Sequence, residues 1–332
     1  MRLATRRNGT RDGELLVVSN DGTRAVPIPF VARTLLALLE DWDRLAPEAE
    51  RVFAALEAQE LSETWTVDVH ALLAPLPRTF TFMDGSAYLN HVRLVRKARG
   101  AEPPPTLETD PLVYQACSDG FLAPTAAIPL GDPSFGCDFE SELFVVTDDV
   151  PQATTAAEAA CHVKLVGILN DVSLRNLIPA ELAKGFGFFV SKPQSALAPF
   201  VCTPDELGPA WRDGRVHLPL RTWLDGAMFG DPEAGSEMHF SFHDLIAHAA
   251  RTRPLGAGTI IGSGTVSNED RARGSSCLAE RRTLETLEGG RPLTPFLTYG
   301  QRVAIEMTDA HGRSLFGRIE QTVAPLAATG AP

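Results

Sequence analysis

Hydrophobic positions in the first 75 residues follow two different periods. Residues 14–19 and 24–28 are short apolar runs with polar flanks, a pattern typical of β-strands. Between residues 31 and 57 the apolar positions recur at the spacing of one helix face. The residues that carry this spacing are Leu35, Leu36, Leu38, Leu39, Val52, Phe53 and Leu56. The pattern therefore predicts two strands followed by one long helix.

Prolines mark the end of this region. Pro75 and Pro77 stand two residues apart, and each removes a backbone donor and restricts the residue before it. We therefore predict a small N-terminal domain over residues 1–75 and a larger domain over residues 76–332.

Short β-rich runs dominate the rest of the chain. The predicted strands cover residues 142–147, 163–169, 218–224, 259–261 and 302–307. Helices are predicted at residues 86–99, 156–162 and 242–250, and turn-forming pairs such as Asp225-Gly226 separate the elements. Because helices of crossover length do not alternate regularly with the strands, a doubly wound parallel sheet is disfavoured. The pattern indicates an α+β fold, mainly β, with a large and partly curled sheet.

Composition and charge narrow the function classes. The chain has 332 residues, of which 44% are hydrophobic and 22% charged, as in a globular protein with a sizeable core. Its net charge of −12 argues against a nucleic-acid partner, because phosphate binding needs clustered lysines and arginines. We find no secretory signal and no apolar run long enough to span a bilayer, and we expect a cytoplasmic protein without a membrane partner. The five cysteines are scattered without a CxxC pair, so neither a disulfide framework nor a zinc site is expected.

Two glutamates open an apolar strand. Glu140 and Glu142 lie two residues apart in CDFESELFVV, so their side chains project from the same strand face. Two like charges this close repel each other unless a cation or a proton intervenes. Oxygen ligands at this spacing suit Mg²⁺, Ca²⁺ or Mn²⁺. The spacing alone favours the alternative, in which both are solvated charges at a strand end.

Three further residues are candidates for the same chemistry. Asp171 follows the apolar run VKLVGILN, where a strand-end carboxylate can face a cleft, although a lone aspartate is more often a turn or N-cap residue. His91 lies seven residues after Asp84, in a polar stretch that enters a predicted helix. A lone histidine is usually a packed or surface residue, so the polar residues around His91 only modestly favour a catalytic role for it.

A glycine-rich segment, GSGTVSNEDRARGSSCLAE, ends at Glu280. Small residues allow the backbone to approach a ligand closely. Gly256, Gly258 and Gly262 have GxGxxxG spacing rather than the GxGxxG of a dinucleotide loop, and no good strand leads into them, so we discount nucleotide binding. The sequence also lacks the motifs of serine hydrolases, HExxH zinc proteases, P-loops and EF-hands.

In their order along the chain, these motifs resemble the fumarylacetoacetate hydrolase family. The matching pieces are Asp84-x6-His91, Glu140-x-Glu142, Asn170-Asp171-x-Ser173-x-Arg175, Ser191-Lys192-Pro193 and Gly262-Ser263-Gly264-Thr265. The resemblance covers roughly residues 80–320, and the first 75 residues resemble the small N-terminal domain of bacterial members.

The resemblance implies a mixed β-sandwich roll and a homodimer with a divalent metal, Mg²⁺, Ca²⁺ or Mn²⁺, in each subunit. It implies four metal ligands, which are Asp84, Glu140, Glu142 and Asp171. It implies three catalytic residues, which are His91, Glu280 and Lys192, the last placed to neutralise developing enolate charge. Four further residues are predicted to contact substrate, namely Ser86, Tyr114, Arg175 and Thr265.

The partner of the catalytic histidine separates two branches of this family. In acylpyruvases and oxaloacetate decarboxylases, the histidine pairs with a glutamate three residues later, a position that Leu94 occupies here. Fumarylacetoacetases use a glutamate after the GSGT segment, where Glu280 stands with a small offset. The resemblance therefore leans to the hydrolase branch, with His91 as a general base oriented by Glu280.

Several positions depart from the family pattern. Asn176 replaces an acidic residue, Val172 replaces a tryptophan, and Ile178 replaces a glutamine that touches substrate in fumarylacetoacetases of higher organisms. The arginine expected after His91 is either Arg96 or Arg99. These changes concern the identity of the substrate rather than the chemistry.

The resemblance implies hydrolysis of a carbon–carbon bond in a 1,3-diketo acid. The expected reaction converts fumarylacetoacetate to fumarate and acetoacetate, as in aromatic amino-acid catabolism. Within the family the alternatives are acylpyruvate hydrolysis and the decarboxylation or isomerisation of a 2-oxo acid. An alternative of another class is a catalytically silent binding homologue, and the retained carboxylates with His91 and Glu280 argue against it.

Overall fold

The N-terminal region contains four strands and two helices. The computed structural model describes residues 1–98 and 100–326. This region consists of β1 (Arg2–Arg6), β2 (Glu14–Val18), β3 (Arg24–Pro27), α1 (Leu35–Leu39), α2 (Trp42–Glu57) and β4 (Trp65–Thr66). The prediction of one helix over residues 31–57 is wrong, because Asp41 has a non-helical backbone between α1 and α2. Asp41 is the N-cap residue of α2, and its carboxylate pairs with Arg44 in the first turn rather than with a backbone amide.

Sixteen further strands lie in the described residues after β4. They are β5 (Phe82–Gly85), β6 (Val113–Gln115), β7 (Ile128–Leu130), β8 (Cys137–Asp138), β9 (Ser141–Thr147), β10 (Val163–Asn170), β11 (Ser173–Leu174), β12 (Ala196–Leu197), β13 (Val201–Cys202), β14 (Trp211–Arg212), β15 (Arg215–Val216), β16 (Leu220–Leu224), β17 (Ala227–Gly230), β18 (Ile260–Gly262), β19 (Arg302–Thr308) and β20 (Ser314–Pro325). All five strands predicted after residue 76 are present, with bounds shifted by no more than two residues.

Most strands belong to two sheets. The larger has the order β4-β3-β2-β1-β13-β10-β9-β18-β5-β6, with β12 beside β10, and the second has the order β17-β16-β19-β20-β7. Antiparallel pairs dominate, while β18 with β5 and β20 with β7 are parallel. This mixed and mainly β architecture confirms the predicted fold class. The N-terminal strands continue the larger sheet through the pairing of β1 with β13, so no break in the sheet marks residue 76 and the domain boundary stays a prediction.

Five helices pack around the sheets in this part of the described chain. They are α3 (Leu89–Ala98), α4 (Ala156–Ala159), α5 (Ile178–Leu182), α6 (Phe242–Ala250) and α7 (Leu278–Gly289). The bounds of α6 are those predicted, and α3 begins three residues later than predicted. The pattern did not predict α5 or α7. Both matter for the site, because α7 carries Glu280 and α5 lines a cavity.

The site lies where the innermost strands of the larger sheet end. Every residue of β9 is buried, and seven of the eight residues of β10 are buried. Strands covered on both faces form a rigid frame for the residues at their ends. No described helix combines the length and the hydrophobicity that crossing a membrane requires.

Candidate metal and catalytic centre

Neighbouring strands bring three carboxylates together. Glu142 is the second residue of β9, Asp84 lies in β5, and Asp171 directly follows β10. Strand β18 runs between β5 and β9, and its Gly262 lies opposite Asp84. A Cβ atom at Gly262 would lie 2.2 Å from Asp84 Oδ1, so only glycine allows this approach. As a result, carboxylate oxygens of Asp84, Glu142 and Asp171 all lie within 4.8 Å of one another.

Within the described residues, two of these carboxylates, Asp84 and Glu142, form no direct ion pair with a cation. Glu142 is fully buried, and within the described residues neither of its oxygens has a hydrogen-bond donor. Burial, reinforced by the charges of Asp84 and Asp171, raises the pKa of Glu142 well above its usual value. Burial and Asp171 also raise the pKa of Asp84, whose Oδ1 accepts a hydrogen bond from the Gly264 amide at 3.0 Å. Buried oxygen atoms without donors fit a hard divalent cation.

Glu140 faces the same cavity, but its charge is balanced. The Nη2 atom of Arg175 lies 2.6 Å from one carboxylate oxygen, and Lys192 Nζ lies 2.5 Å from the other. Thr265 and Ser173 donate hydroxyl hydrogen bonds to the same carboxylate. Although burial opposes ionisation, Arg175 and Lys192 hold the pKa of Glu140 well below its usual value. Of the four predicted ligands, three converge on one point and Glu140 is held beside them by cations.

Lys192 joins the two sides of this cluster. Its ammonium contacts both Glu140 Oε2 and Asp171 Oδ2, each at 2.5 Å. Burial works against the charge, but the carboxylates of Asp171 and Glu140 override it and raise the pKa of Lys192 above its usual value. Asp171 is also hydrogen-bonded by Tyr114 Oη and Ser195 Oγ, both at 2.6 Å. An ammonium group held between two carboxylates therefore lies at the centre of the site.

Helices α3 and α7 place His91 against Glu280. The distance from His91 Nδ1 to Glu280 Oε2 is 3.1 Å. Ser267 donates to the other Glu280 oxygen at 3.1 Å, and the Asn90 amide donates to Ser267 at 2.8 Å. A carboxylate facing Nδ1 favours the tautomer with the proton on that atom. The unprotonated Nε2 then faces the carboxylate cluster, 3.8 Å from Glu140 Oε1, where it can accept a proton.

The His91–Glu280 pair has a third neighbour, Cys277. Potential ligand atoms of these three residues lie within 4.8 Å of one another, as in a metal site. The Cys277 thiol, however, caps the N-terminus of α7 by accepting a hydrogen bond from the Glu280 amide at 3.4 Å. Burial also raises the pKa of this thiol well above its usual value, which opposes the thiolate form that binds metals.

Asp138 is a buried residue of the site that the sequence analysis missed. Its carboxylate accepts hydrogen bonds from the first two backbone N–H groups of α7, at 2.7 and 2.9 Å. It also pairs with Arg175 Nε at 2.8 Å. Asp138 therefore ties the helix that carries Glu280 to the arginine that holds Glu140. The sequence did contain a signal for this residue. Asp138, Glu140 and Glu142 are spaced two residues apart, so all three acidic side chains could have been expected on one face of an extended segment.

The predicted substrate contacts surround one cavity of about 380 Å³. Its lining includes all four residues that the sequence predicted to contact substrate, which are Ser86, Tyr114, Arg175 and Thr265. The polar groups of the last three are engaged with carboxylates of the cluster. Arg96 lines the cavity as well, whereas Arg99 lies outside the described residues. The substrate roles of these residues stay predictions.

Comparison with protein families gives two adjacent matches. The family model described as fumarylacetoacetate (FAA) hydrolase C-terminal matches residues 81–324. The model described as fumarylacetoacetase N-terminal domain 2 matches residues 1–78. No curated protein matches the chain.

Solved structures with the same fold extend over the whole chain. A protein assigned as HpcE from Mycobacterium smegmatis is 20% identical, with a TM-score of 0.69. Maleylpyruvate hydrolase from Sphingobium sp. SYK-6, solved with manganese(II) and pyruvate, is 17% identical with a TM-score of 0.65. The 5-carboxymethyl-2-hydroxymuconate delta-isomerase from Mycobacterium smegmatis is 18% identical with a TM-score of 0.61. Each alignment covers 98% of this chain and 100% of the other, and at these identities the likeness is one of fold.

Proposed function

Because the chain belongs to the fumarylacetoacetate hydrolase family, we propose that it is a metal-dependent hydrolase that cleaves a carbon–carbon bond of a 1,3-diketo acid. The observation that carries the proposal is the contact of His91 with Glu280 beside the carboxylate cluster. Hydrolysis needs a general base that activates water, and His91 is placed to be that base. Isomerisation would use the same base to move a proton between carbon atoms, so the products must separate the two reactions.

The metal is proposed to be held by Asp84, Glu142, Asp171 and Glu140. Asp84 and Glu142 support this assignment, because burial and the neighbouring carboxylates raise both pKa values and the Glu142 oxygens accept no hydrogen bond within the described residues. All four ligands are oxygen donors, which suits Mg²⁺, Ca²⁺ or Mn²⁺. When bound, the metal supplies Lewis-acid polarisation of the substrate oxygens. The manganese(II) in the solved maleylpyruvate hydrolase is consistent with such a site.

In the proposed reaction, protein side chains move the proton and stabilise the charge. His91 Nε2 takes a proton from water while Glu280 holds the ring, and the hydroxide adds to the acyl carbonyl carbon. The adjacent carbon–carbon bond then breaks, and its electron pair stays on the departing fragment as an enolate. The Lys192 ammonium stabilises this enolate. The proton on His91 returns to the enolate carbon, so one water is added across the bond and two acids leave.

Fumarylacetoacetate is the first substrate to test, with fumarate and acetoacetate as products, and acylpyruvates are the second. Product analysis separates the alternatives, because hydrolysis yields two acids, decarboxylation releases CO₂ and isomerisation conserves mass. The same assay separates an enzyme from a silent binding homologue, which would bind no stoichiometric metal and turn over no diketo acid. A homodimer with one site in each subunit is part of the proposal.

The base is tested by His91→Ala in the metal-loaded protein. We expect kcat to fall by about 10²–10⁴-fold with metal affinity unchanged, since His91 is not a proposed ligand. Titration calorimetry with Mn²⁺ measures the affinity. An alanine variant that cleaves its substrate at the wild-type rate would overturn the mechanism.

A further inference from the structure

One carboxylate closes the loop that leads to Lys192. The loop comprises residues 183–191 and follows α5, in which Glu181 is the last residue but one. The Glu181 carboxylate accepts hydrogen bonds, at 2.8–3.2 Å, from three consecutive backbone amides, those of Phe189, Val190 and Ser191. The Ser191 hydroxyl donates a further hydrogen bond to it. Donors from the end of the loop therefore converge on a side chain at its start.

Apolar packing does little to hold this loop. None of residues 183–190 is buried, and Phe186 and Phe189 are exposed. Phe188 is half-buried and packs edge-on against the Tyr114 ring, with 5.2 Å between the ring centroids. Segments with few buried apolar contacts open easily unless polar contacts hold them. The position of this loop therefore depends mainly on its hydrogen bonds.

Glu181 supplies most of these hydrogen bonds at the end of the loop. Among the described residues, the other one that ties residues 189–191 to a different segment runs from the Leu174 amide to the Ser191 carbonyl, at 2.8 Å. Glu181 is itself buried, and although burial opposes ionisation, these bonds hold the pKa of its carboxyl below the ordinary value. A glutamine has a similar size but one acceptor oxygen fewer, and its NH₂ group would face donors. Glu181→Gln therefore removes hydrogen bonds without opening a cavity.

The end of the loop sets the position of the Lys192 ammonium. Ser191 directly precedes Lys192, and the Lys192 amide donates to the Phe189 carbonyl at 3.3 Å. From this backbone the buried Lys192 side chain reaches Glu140 and Asp171, at 2.5 Å each. Electrostatic stabilisation of a transition state requires the charged group to be held in place before the reaction. A displaced backbone at Ser191 would move the ammonium away from these contacts.

We infer that Glu181 is a positioning residue for Lys192. Its carboxylate fixes the end of the loop, so that the ammonium lies between Glu140 and Asp171. The inference rests on the proposed function, in which Lys192 stabilises the enolate, and adds to it a residue that acts through another. Within the described chain, Glu181 does not line the catalytic cavity, whereas Phe188 and Lys192 do.

Glu181→Gln in the metal-loaded protein tests the inference kinetically. We expect kcat to fall about tenfold, which is part of the roughly 10²–10³-fold loss that removal of an electrostatic contact causes. KM should change no more than about twofold, because the ammonium acts mainly on the transition state. Steady-state kinetics on the substrate that product analysis identifies give both constants. A wild-type kcat in this variant overturns the inference.

Glu285→Gln is the matched control. At the end of α7, Glu285 makes the same kind of contact, because it accepts hydrogen bonds from the Leu293 and Thr294 amides and from the Thr294 hydroxyl. Residues 285–294 do not contribute to the lining of the catalytic cavity in the described chain. The control should lower the melting temperature about as much as Glu181→Gln does, and leave kcat unchanged. Equal losses of kcat in the two variants would show an effect of general stability and overturn the inference.

Combining Glu181→Gln with Lys192→Met shows whether the effect passes through the lysine. Lys192→Met removes the ammonium and keeps an unbranched side chain. If Glu181 acts through Lys192, adding Glu181→Gln to Lys192→Met should change kcat no more than about twofold. A further loss of about tenfold in the double variant would mean that the two residues act independently, which contradicts the inference.

The Lys192 ammonium can also be followed without turnover. The chain has four lysines, of which Lys97 and Lys184 are exposed, Lys164 is half-buried and Lys192 is buried. In protein labelled with ¹⁵N at the lysine Nζ atoms, NMR detects the Lys192 ammonium, and Lys192→Met identifies its signal by the loss. Glu181→Gln should shift or broaden this signal, whereas Glu285→Gln should leave it at the wild-type position. Ser191→Ala removes only the hydroxyl donor and should shift it less.

Failure of the proposed function is separable from failure of the inference. If the metal-loaded protein cleaves no diketo acid, the hydrolase proposal fails, and the NMR comparison decides the inference alone. A change of the Lys192 signal confined to the Glu181 and Ser191 variants supports it. A signal that stays at the wild-type position in Glu181→Gln overturns it.

Discussion

Glu140 and Glu142 lie two residues apart and face the same cavity, yet their surroundings are opposite. Glu140 contacts Arg175 and Lys192, and its pKa is lowered. Glu142 has carboxylates as its charged neighbours, and its pKa is raised. The protein thus neutralises one half of its acidic cluster with its own cations, whereas in the described chain the other half forms no direct ion pair. This difference supports the proposal that a divalent cation binds beside Asp84 and Glu142.

The largest expected effect comes from removing a charge of the half without direct ion pairs. Glu142→Gln should weaken binding of Mn²⁺ or Mg²⁺ by at least about 100-fold, with a matching loss of turnover, because a ligand is lost. The metal-free variant should be at least as stable as the wild type, since one repulsive buried charge is gone. Calorimetry measures the affinity, and melting temperatures with and without metal measure the stability.

Glu280→Gln is the matched control for this comparison. Glu280 is equally buried and lies in the same site, but it contacts His91 and Ser267 rather than the cluster. The metal affinity of the Glu280→Gln variant should stay within a few-fold of the wild-type value, while its turnover should fall. An undiminished metal affinity in Glu142→Gln would refute the division of the cluster into two halves.

The next effect in size concerns the neutralised half. Arg175→Gln should lower the free energy of unfolding of the metal-free protein by about 3–5 kcal/mol, because buried Asp138 would lose its cation and Glu140 would keep only Lys192. Urea unfolding measures the change. Arg302→Gln, which removes an exposed ion pair with Glu320, should cost no more than about 1 kcal/mol. Similar costs for the two variants would mean that Arg175 does not neutralise this half.

Glu181 adds a third case to the comparison of Glu140 with Glu142, because backbone amides rather than cations stabilise its charge. Its carboxylate accepts hydrogen bonds from the amides of Phe189, Val190 and Ser191 and from the Ser191 hydroxyl. Although burial opposes ionisation, these bonds lower the pKa of Glu181 to about 2, from an ordinary value of 4.5. The stability that this group contributes is therefore complete above pH 4.5 and is lost as the pH falls towards about 2.

Glu181→Gln should accordingly flatten the acid side of the stability profile. At pH 7 we expect a melting temperature lower by a few degrees, and between pH 4.5 and 2 the difference from the wild type should shrink. Thermal unfolding across this range measures it. Glu60→Gln, at an exposed position, is the control and should leave the profile unchanged. A difference that stays constant with pH would argue against stabilisation of the ionised carboxylate.

The hydrophobic pattern predicted elements best where burial is strongest. Strands β9, β10 and β19 were predicted within one or two residues, because their long apolar runs are covered on both sides or along one face. The pattern failed where polar contacts decide the backbone. Asp41 divides the predicted N-terminal helix, and α7 starts with Cys277 as its cap and Asp138 bonded to its first turn.

For the site, the sequence by itself determined which residue types are available and that Glu140 and Glu142 share a strand face. Period-two alternation is a local property, so it can be read without the fold. Only the tertiary structure decided which of the two is compensated. Arg175 and Lys192 reach Glu140 because β10 and the segments after it return beside β9, whereas Gly262 brings Asp84 towards Glu142. Electrostatic partners depend on distances of a few ångströms between residues far apart in the chain, and only packing sets those distances.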